Sequence, residues 1–124
     1  MSDGNKVILS VGQCSFDHGN ISQAIRKKFG ATVEASATRI DALHWLKSNQ
    51  ADLVLVNRLF DEDGDSGIDF LKVLRATHPT VPVMLVSNLP EAHQQARSAG
   101  GAPGFGKAEL GTARMTEALQ PFLG

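Results

Sequence analysis

Four places in this chain of 124 residues put polar or very small residues directly after a short apolar segment. They are Gly12-Gln13, Asn57, Ser87 and Lys107. A hydroxyl, an ammonium group and backbone amides that lie close together bind an anion such as a phosphoryl group. None of these residues is a carboxylate, which is the ligand that Mg²⁺ usually takes from a protein. The four places therefore predict a pocket for negative charge without the usual means of holding a metal.

The apolar segments have the pattern of strands that are buried on both faces of a parallel sheet. Val7–Val11, Leu53–Val56 and Val81–Val86 are short, rich in β-branched residues and nearly continuous in apolar character. Weaker strands are predicted at Thr32–Ala35 and around Pro103–Phe105. Helical spacing occupies the stretches between and after them. These helices are predicted from Ile21 to Phe29, Ile40 to Lys47, Ile68 to Arg75, Glu91 to Ala99 and Leu110 to Phe122.

This alternation predicts an α/β fold: a doubly wound five-stranded parallel sheet of order 2-1-3-4-5, in a flavodoxin-like three-layer sandwich. A chain of 124 residues is long enough for one domain with its own core, so residues 1–124 are predicted to form a single domain. The carboxyl ends of the strands meet at one edge of such a sheet. We therefore expect the four polar places to converge there, near the first and third strands.

Composition and charge exclude several classes of protein. The net charge is −1, with 42% hydrophobic and 20% charged residues, so the balance favours neither a nucleic-acid partner nor a membrane. The single cysteine, Cys14, cannot form an internal disulfide and fits a reducing compartment. The segment Met1–Lys6 lacks the apolar core of a secretory signal. We expect a cytoplasmic localisation.

From Lys6 to Leu123 the chain resembles the receiver domain of bacterial two-component response regulators. The best-matched pieces are Asp52–Asn57, Ser66–Leu71, Val81–Ser87 and Ala99–Lys107. In that family two acids after the first strand and an aspartate ending the third hold Mg²⁺. The aspartate accepts a phosphoryl group from a kinase histidine. A Ser or Thr after the fourth strand and a Lys after the fifth bind that group.

This chain has the family's phosphoryl-binding residues, but none of the three acids at the matching positions. Ser87 and Lys107 match, whereas Gly12 and Gln13 replace the acidic pair and Asn57 replaces the phosphoacceptor. A neutral amide does not form an acyl phosphate, and the loss of three carboxylates removes the metal ligands. We therefore predict an atypical receiver, a pseudo-receiver. It is expected to have no enzymatic activity, no Mg²⁺ and no other cofactor.

The resemblance also implies which surfaces meet other proteins. The expected partner is a histidine kinase, which docks on the first helix, or a signalling or output protein. Outputs and homodimers use the side formed by the fourth helix, fifth strand and fifth helix. Gly104 stands where the family carries a switch aromatic on that strand. The candidate contact residues on this second side are His93, Gln94, Arg97, Phe105 and Arg114.

Two other functions stay open on the sequence alone. In one, Asp17 or Asp61 serves as a non-standard phosphoacceptor or Mg²⁺ ligand, and the receiver is still phosphorylated. In the other, the domain binds a small anion or metabolite with Ser87, Lys107 and the backbone around Gly12. In any of these cases Lys107 needs a new partner, because a buried unpaired ammonium group is costly. The candidates are Asp17, Asp61, Asp63 and Asn57.

The acidic segment from Asp61 to Asp69 has only a superficial likeness to a calcium-binding loop. Its sixth position is Ser66 instead of glycine, and its twelfth is Lys72 instead of a bidentate glutamate. We interpret it as a solvated loop between the third strand and the third helix. Its negative charge favours the start of that helix.

Overall fold

Five parallel strands form one sheet in a computed structural model that describes residues 5–124. Their order is β2-β1-β3-β4-β5, and each strand is followed by a helix, so the predicted doubly wound fold is confirmed. Each strand has four or five residues. They are β1 (Val7–Val11), β2 (Thr32–Ser36), β3 (Leu53–Asn57), β4 (Val83–Val86) and β5 (Ala102–Phe105).

Five α-helices connect or follow the strands, and most begin at a side chain that caps the first turn. Thr38, Ser66 and Thr112 each accept a hydrogen bond from a backbone N–H of the helix that they precede. Within residues 5–124, no helix is both long and apolar enough to span a bilayer. The helices are α1 (Ser15–Phe29), α2 (Arg39–Ser48), α3 (Gly67–Thr77), α4 (Pro90–Ser98) and α5 (Ala113–Leu123).

The sheet separates two apolar layers, because successive residues of each strand point to opposite faces. Leu9, Val54 and Leu85 face the layer that contains α2, α3 and α4. Ile8 and Leu55 face the layer that contains α1 and α5. All five residues of β3 are buried, as expected for the central strand of such a sandwich.

The last helix begins later than the sequence pattern predicted. We predicted a start at Leu110, but Lys107–Glu109 forms a short 3₁₀ turn and α5 begins at Ala113. The reason is the cap at Thr112, whose hydroxyl accepts a 3.5 Å hydrogen bond from the Met115 N–H. The 3₁₀ turn lies directly after β5 and so directs the Lys107 side chain at the carboxyl edge of the sheet.

Candidate functional site

Asn57 ends the central strand and is 9% exposed. Both polar atoms of its side-chain amide form hydrogen bonds with the surrounding backbone. Its Nδ2 donates to the carbonyl oxygens of Gly12, at 3.0 Å, and Leu59, at 2.8 Å. Its Oδ1 accepts from the Arg58 N–H at 2.9 Å. Two carbonyls require a donor and the N–H requires an acceptor, so only one orientation of an amide fits all three contacts. The backbone here is complementary to asparagine.

Gly12 lies beneath the ring of Phe60. Its φ is +81°, in the left-handed region, and its N–H donates to the Ser36 carbonyl oxygen at 2.8 Å. A Cβ added at this position would overlap the Phe60 ring and would lie 2.9 Å from the Phe60 Cβ. Phe60 is 1% exposed and packs edge-on against Phe70, with 5.9 Å between ring centroids. An aromatic side chain therefore fills the space that a side chain at position 12 would need.

The segment between β3 and α3 is folded so that Phe60 points inward. The Phe60 N–H donates to the Asp65 carbonyl at 2.8 Å, and the Gly64 N–H donates to the Phe60 carbonyl at 2.7 Å. The Asp61 N–H donates to the Gly12 carbonyl at 2.9 Å, which ties the loop to the end of β1. These backbone hydrogen bonds hold the loop around the buried Phe60 ring.

An ion pair anchors the same loop to α2. Arg39 donates from Nε and from the second guanidinium nitrogen to the two carboxylate oxygens of Asp65, at 2.7 and 3.0 Å. The guanidinium carbon also lies 5.5 Å from the centroid of the Phe70 ring. A bidentate Arg–carboxylate pair fixes the relative orientation of its two side chains better than a single hydrogen bond does. The pair therefore holds the loop in the conformation that places Phe60 over Gly12.

We expect this pair to contribute stability that is lost in acid. The hydrogen bonds from Arg39 lower the pKa of Asp65 from its ordinary 3.8, against the opposing effect of partial burial. Because the folded-state pKa is the lower one, the stabilisation is fully present above the ordinary pKa of 3.8 and is lost as the pH falls from there through the lower folded-state pKa. Asp65→Asn should cost about 1 kcal/mol at neutral pH, a modest amount because both side chains are partly exposed.

Urea denaturation at about pH 7 and about pH 2.5 checks this expectation. The cost of Asp65→Asn should shrink toward zero at the lower pH. Asp61→Asn is the control, because the exposed Asp61 side chain makes no hydrogen bond within residues 5–124. An equal loss at both pH values would mean that Asp65 stabilises the loop by some means other than its charge.

Ser87 and Lys107, the two positions that match the sequence pattern, both have partners within the protein. The Ser87 hydroxyl accepts from the Leu89 N–H at 3.1 Å and so caps the turn after β4. The Lys107 Nζ lies 2.9 Å from Asp17 Oδ2, so Asp17 is the partner it takes among those considered. The two side chains are 29% and 27% exposed, so the bridge is partly open to solvent. It joins α1 to the end of β5.

The described residues do not fit a Mg²⁺ ion at this edge. Gly12 has no side chain and is covered by Phe60, Gln13 and Asn57 are neutral, and Asp17 is bound to Lys107. Within residues 5–124 no group of three or more His, Cys, Asp or Glu side chains is placed to hold a metal. Mg²⁺ prefers octahedral sites with at least one carboxylate. Both amide atoms of Gln13 are buried without a hydrogen-bond partner among these residues.

The side formed by α4, β5 and α5 carries four of the five predicted contact residues at or near its surface. Gln94, Arg97 and Arg114 are exposed, and His93 is half-buried. All four line an open groove of about 1320 Å³ beside β5. The His93 Nε2–H donates to the Ser87 carbonyl oxygen at 2.6 Å, which ties α4 to the end of β4. The groove therefore has polar walls.

Phe105, the fifth of these residues, borders the same groove but its side chain is buried. It is 1% exposed and packs in the layer between the sheet and helices α1 and α5. The reason is an extra residue in β5, since Met84 pairs with Ala102 while Val86 pairs with Phe105. An inserted residue turns every later side chain of the strand to the other face.

Gly104 is closed to any side chain, because an added Cβ would overlap the Leu85 carbonyl oxygen. The same Cβ would lie 3.2 Å from Cε1 of His93. The imidazole of His93 in α4 thus lies beside the strand position at which, by the sequence resemblance, Gly104 replaces a switch aromatic. No aromatic side chain fits at position 104 with this backbone.

Solved structures share this architecture, although neither a protein-family model nor a curated protein matches the chain. The chemotaxis response regulator CheY4 of Vibrio cholerae is 18% identical with a TM-score of 0.73, over 97% of this chain and 100% of that one. The receiver domain of the Francisella response regulator 1452 is 21% identical with a TM-score of 0.66, over 94% and 93%. The chain has the fold of a response-regulator receiver domain. A LuxR family DNA-binding response regulator from Silicibacter pomeroyi is 28% identical with a TM-score of 0.64, over 81% and 75%.

Within the receiver fold, the residue that sequence reasoning missed is Phe60. The structure brings Gly12 and Asn57 into direct contact, and it couples Lys107 to Asp17 instead of to Asn57. The Asp61 side chain is exposed, and the Asp61 backbone N–H bonds the Gly12 carbonyl oxygen at this edge of the sheet. The available signal for Phe60 was the apolar pair Leu59-Phe60 at the start of an otherwise polar loop. One of that pair is exposed and the other buried, and the sequence alone does not distinguish them.

Proposed function

We propose that this chain is a pseudo-receiver, a protein-interaction module of two-component signalling that takes no phosphoryl group on Asn57. It acts by binding other proteins, with no enzymatic activity and no requirement for Mg²⁺. The receiver fold supports the signalling context, and the chemistry of the strand ends supports the loss of phosphotransfer. An amide oxygen is too weak a nucleophile to form an acyl phosphate at ordinary rates.

The hydrogen bonds of Asn57 carry this proposal. Its Nδ2 donates to two backbone carbonyl oxygens, a role that a carboxylate cannot fill. In an active receiver the same position has to present a carboxylate to a metal and to the phosphoryl donor. Here the neighbouring backbone has adapted to a donor at position 57. The loss of the acid is therefore matched by its surroundings and is more than an isolated substitution.

The proposed partners are a histidine kinase or a signalling or output protein. The α4–β5–α5 side offers the groove lined by His93, Gln94, Arg97 and Arg114. Two exposed arginines and the polar side chains of His93 and Gln94 suit a partner that presents acidic or hydrogen-bonding groups. A homodimer through this side is the corresponding proposal for self-association, and α1 is the proposed kinase-docking helix.

An amide-shift titration tests the loss of phosphotransfer. Mg²⁺, and then Mg²⁺ with beryllofluoride as a phosphoryl mimic, are added to the ¹⁵N-labelled protein. We expect no saturable shifts at Asn57, Ser87 or Lys107. A receiver domain that has its acids, titrated in the same buffer, is the positive control. Saturable shifts at these residues would sink the proposal and would revive Asp17 or Asp61 as a substitute acid.

The small-anion alternative has a different readout. Ser87 accepts a hydrogen bond from Leu89 and Lys107 is paired with Asp17, so an anion would have to compete with the Asp17 carboxylate for the Lys107 charge. Inorganic phosphate or acetyl phosphate that raised the melting temperature without Mg²⁺ would support this alternative. We expect no such rise.

A further inference from the structure

The exposed hydrophobic residues of this protein are concentrated at one edge. Among residues 5–124, the large hydrophobic side chains that are exposed are Phe16 (75%), Ile40 (76%), Leu59 (46%) and Leu89 (40%). Each lies in the first turn of a helix or in the loop just after a strand. In a parallel sheet with alternating helices, all these positions face the carboxyl edge of the strands. The opposite edge carries none of the four.

The four side chains follow four neighbouring strands of the sheet. Ile40, Phe16, Leu59 and Leu89 follow β2, β1, β3 and β4, which are consecutive in the sheet, and the ends of these four strands span about three strand spacings, roughly 15 Å. Each adjoins a residue that the pocket already uses. Phe16 precedes Asp17, which holds Lys107, and the Leu59 carbonyl accepts from Asn57. The Leu89 N–H donates to Ser87, and Ile40 follows Arg39, which holds Asp65.

The exposed charge at this edge has one dominant sign. Asp61, Glu62 and Asp63 are consecutive, fully exposed and part of the loop that carries Leu59. The within-protein ion pairs use other acids, namely Asp17 and Asp65. Arg58 is the one exposed cation in the same loop. The surface thus combines isolated apolar side chains with an excess of negative charge.

We propose that this edge is a docking surface for a partner protein that presents apolar side chains flanked by lysine or arginine. The proposal rests on the pseudo-receiver function, because a bound phosphoryl group and metal would need the same edge to be open. Apolar side chains supply the contact area, and the acidic loop selects a basic partner. The former phosphorylation edge becomes a recognition surface that is formed at all times.

A second copy of the chain fits this surface poorly. Its own exposed basic cluster, Arg26–Lys28, is in the last turn of α1 and so lies at the opposite edge of the sheet. Pairing one edge with the other joins copies head to tail and leaves a free surface at each end. Such contacts give rings or open chains and not a two-fold dimer. The charge complementarity therefore points to a different protein.

A random-peptide library displayed on phage, selected against the purified protein, tests this inference. We expect enriched peptides to combine apolar residues with Lys or Arg, and to shift the amides of Phe16, Leu59 and Leu89. The double variant Asp61→Lys/Glu62→Lys should bind these peptides roughly tenfold more weakly. The matched control is Glu34→Lys/Glu117→Lys, which makes the same charge change at exposed acids away from this loop. This control variant should bind the enriched peptides with unchanged affinity.

The outcomes separate the two proposals. Three results would overturn this docking surface. The enriched peptides could lack Lys and Arg, they could shift only the amides of the α4–β5–α5 groove, or both charge variants could lose the same amount of peptide affinity. Sedimentation that shows concentration-dependent self-association, abolished by Asp61→Lys/Glu62→Lys, would mean that the occupant is a second copy. None of these results touches the pseudo-receiver function, which instead fails if beryllofluoride and Mg²⁺ bind at Asn57.

Discussion

Replacing Gly12 with alanine is expected to lower the free energy of unfolding by about 3 kcal/mol more than the same replacement at Gly64. Both glycines have a positive φ, +81° and +71°, so both variants bear the same backbone strain. Only at Gly12 does the added methyl group meet an obstacle, the buried ring of Phe60. At Gly64 nothing lies within 4 Å of the added Cβ. The difference in the free energy of unfolding between the two variants, measured by urea denaturation, gives the cost of the overlap with Phe60.

A double-mutant cycle then identifies the obstacle. Phe60→Ala alone should cost about 3 to 5 kcal/mol, because it empties a buried aromatic site. Combined with Gly12→Ala, it should cost clearly less than the sum of the two single changes, since the methyl group then has room. Additive costs would show that the ring moves aside freely and does not obstruct position 12. The cycle reports on contact between residues that are far apart in sequence.

The second large effect is expected from Asn57→Asp, which should lose about 3 kcal/mol at neutral pH. The new carboxylate would face the carbonyl oxygens of Gly12 and Leu59 without a proton to share with either. Asparagine and aspartate have nearly the same shape, so packing is unchanged and the loss reports the hydrogen bonds. Urea denaturation provides the measurement, and no gain of phosphorylation is expected with acetyl phosphate and Mg²⁺.

Asn88→Asp is the matched control for this substitution. The exposed Asn88 uses Oδ1 to accept from the Ala108 N–H at 3.0 Å, and an aspartate keeps that acceptor. Its cost should stay below about 0.5 kcal/mol. Acid should narrow the gap between Asn57→Asp and the parent, because a protonated carboxyl can donate one of the two lost bonds. A gap that stays constant with pH, or a tolerated Asn57→Asp, would contradict our account of the pocket.

These two results decide how a phosphorylatable site could be rebuilt in this chain. The plan that follows from the sequence pattern alone is to place acids at Gly12, Gln13 and Asn57 together. The structure corrects that plan, because position 12 has no space while Phe60 is present. A working design has to change Phe60 as well, and has to supply a donor to the carbonyls that Asn57 now satisfies.

Most of the fold could be predicted from the sequence because the central strands are nearly continuous runs of apolar residues. Val7–Val11 and Leu53–Asn57 are strands with the predicted bounds or within one residue of them. Gly30 ends α1 in the left-handed conformation, and α3 ends at Thr77, just before His78-Pro79. The error at α5 came from reading Leu110 as part of its apolar face. Thr112 is the cap, and its residue type is a signal that the sequence did contain.

The site was less predictable because it depends on contacts between distant segments. A Cβ at position 12 would overlap Phe60 because Gly12 has a positive φ and because the loop turns the Phe60 ring inward. No sequence pattern predicts either feature. The burial of Phe105 depends on one extra residue in a strand of four residues. Periodicity is uninformative over so short a segment. The residue types, by contrast, were enough to show that the carboxylates are absent.

The ring of Phe60 over Gly12 also bears on how this domain can evolve. Each single step toward an active site, an acid at position 12 or at position 57, is expected to lose stability and to gain no activity. Loss of Phe60 alone opens a cavity and gains nothing either. Because a typical domain has only about 5 to 15 kcal/mol of stability, few such steps can accumulate before the chain fails to fold. For the pseudo-receiver that we propose, the packing of this one side chain makes a return to phosphate chemistry hard to reach by gradual mutation.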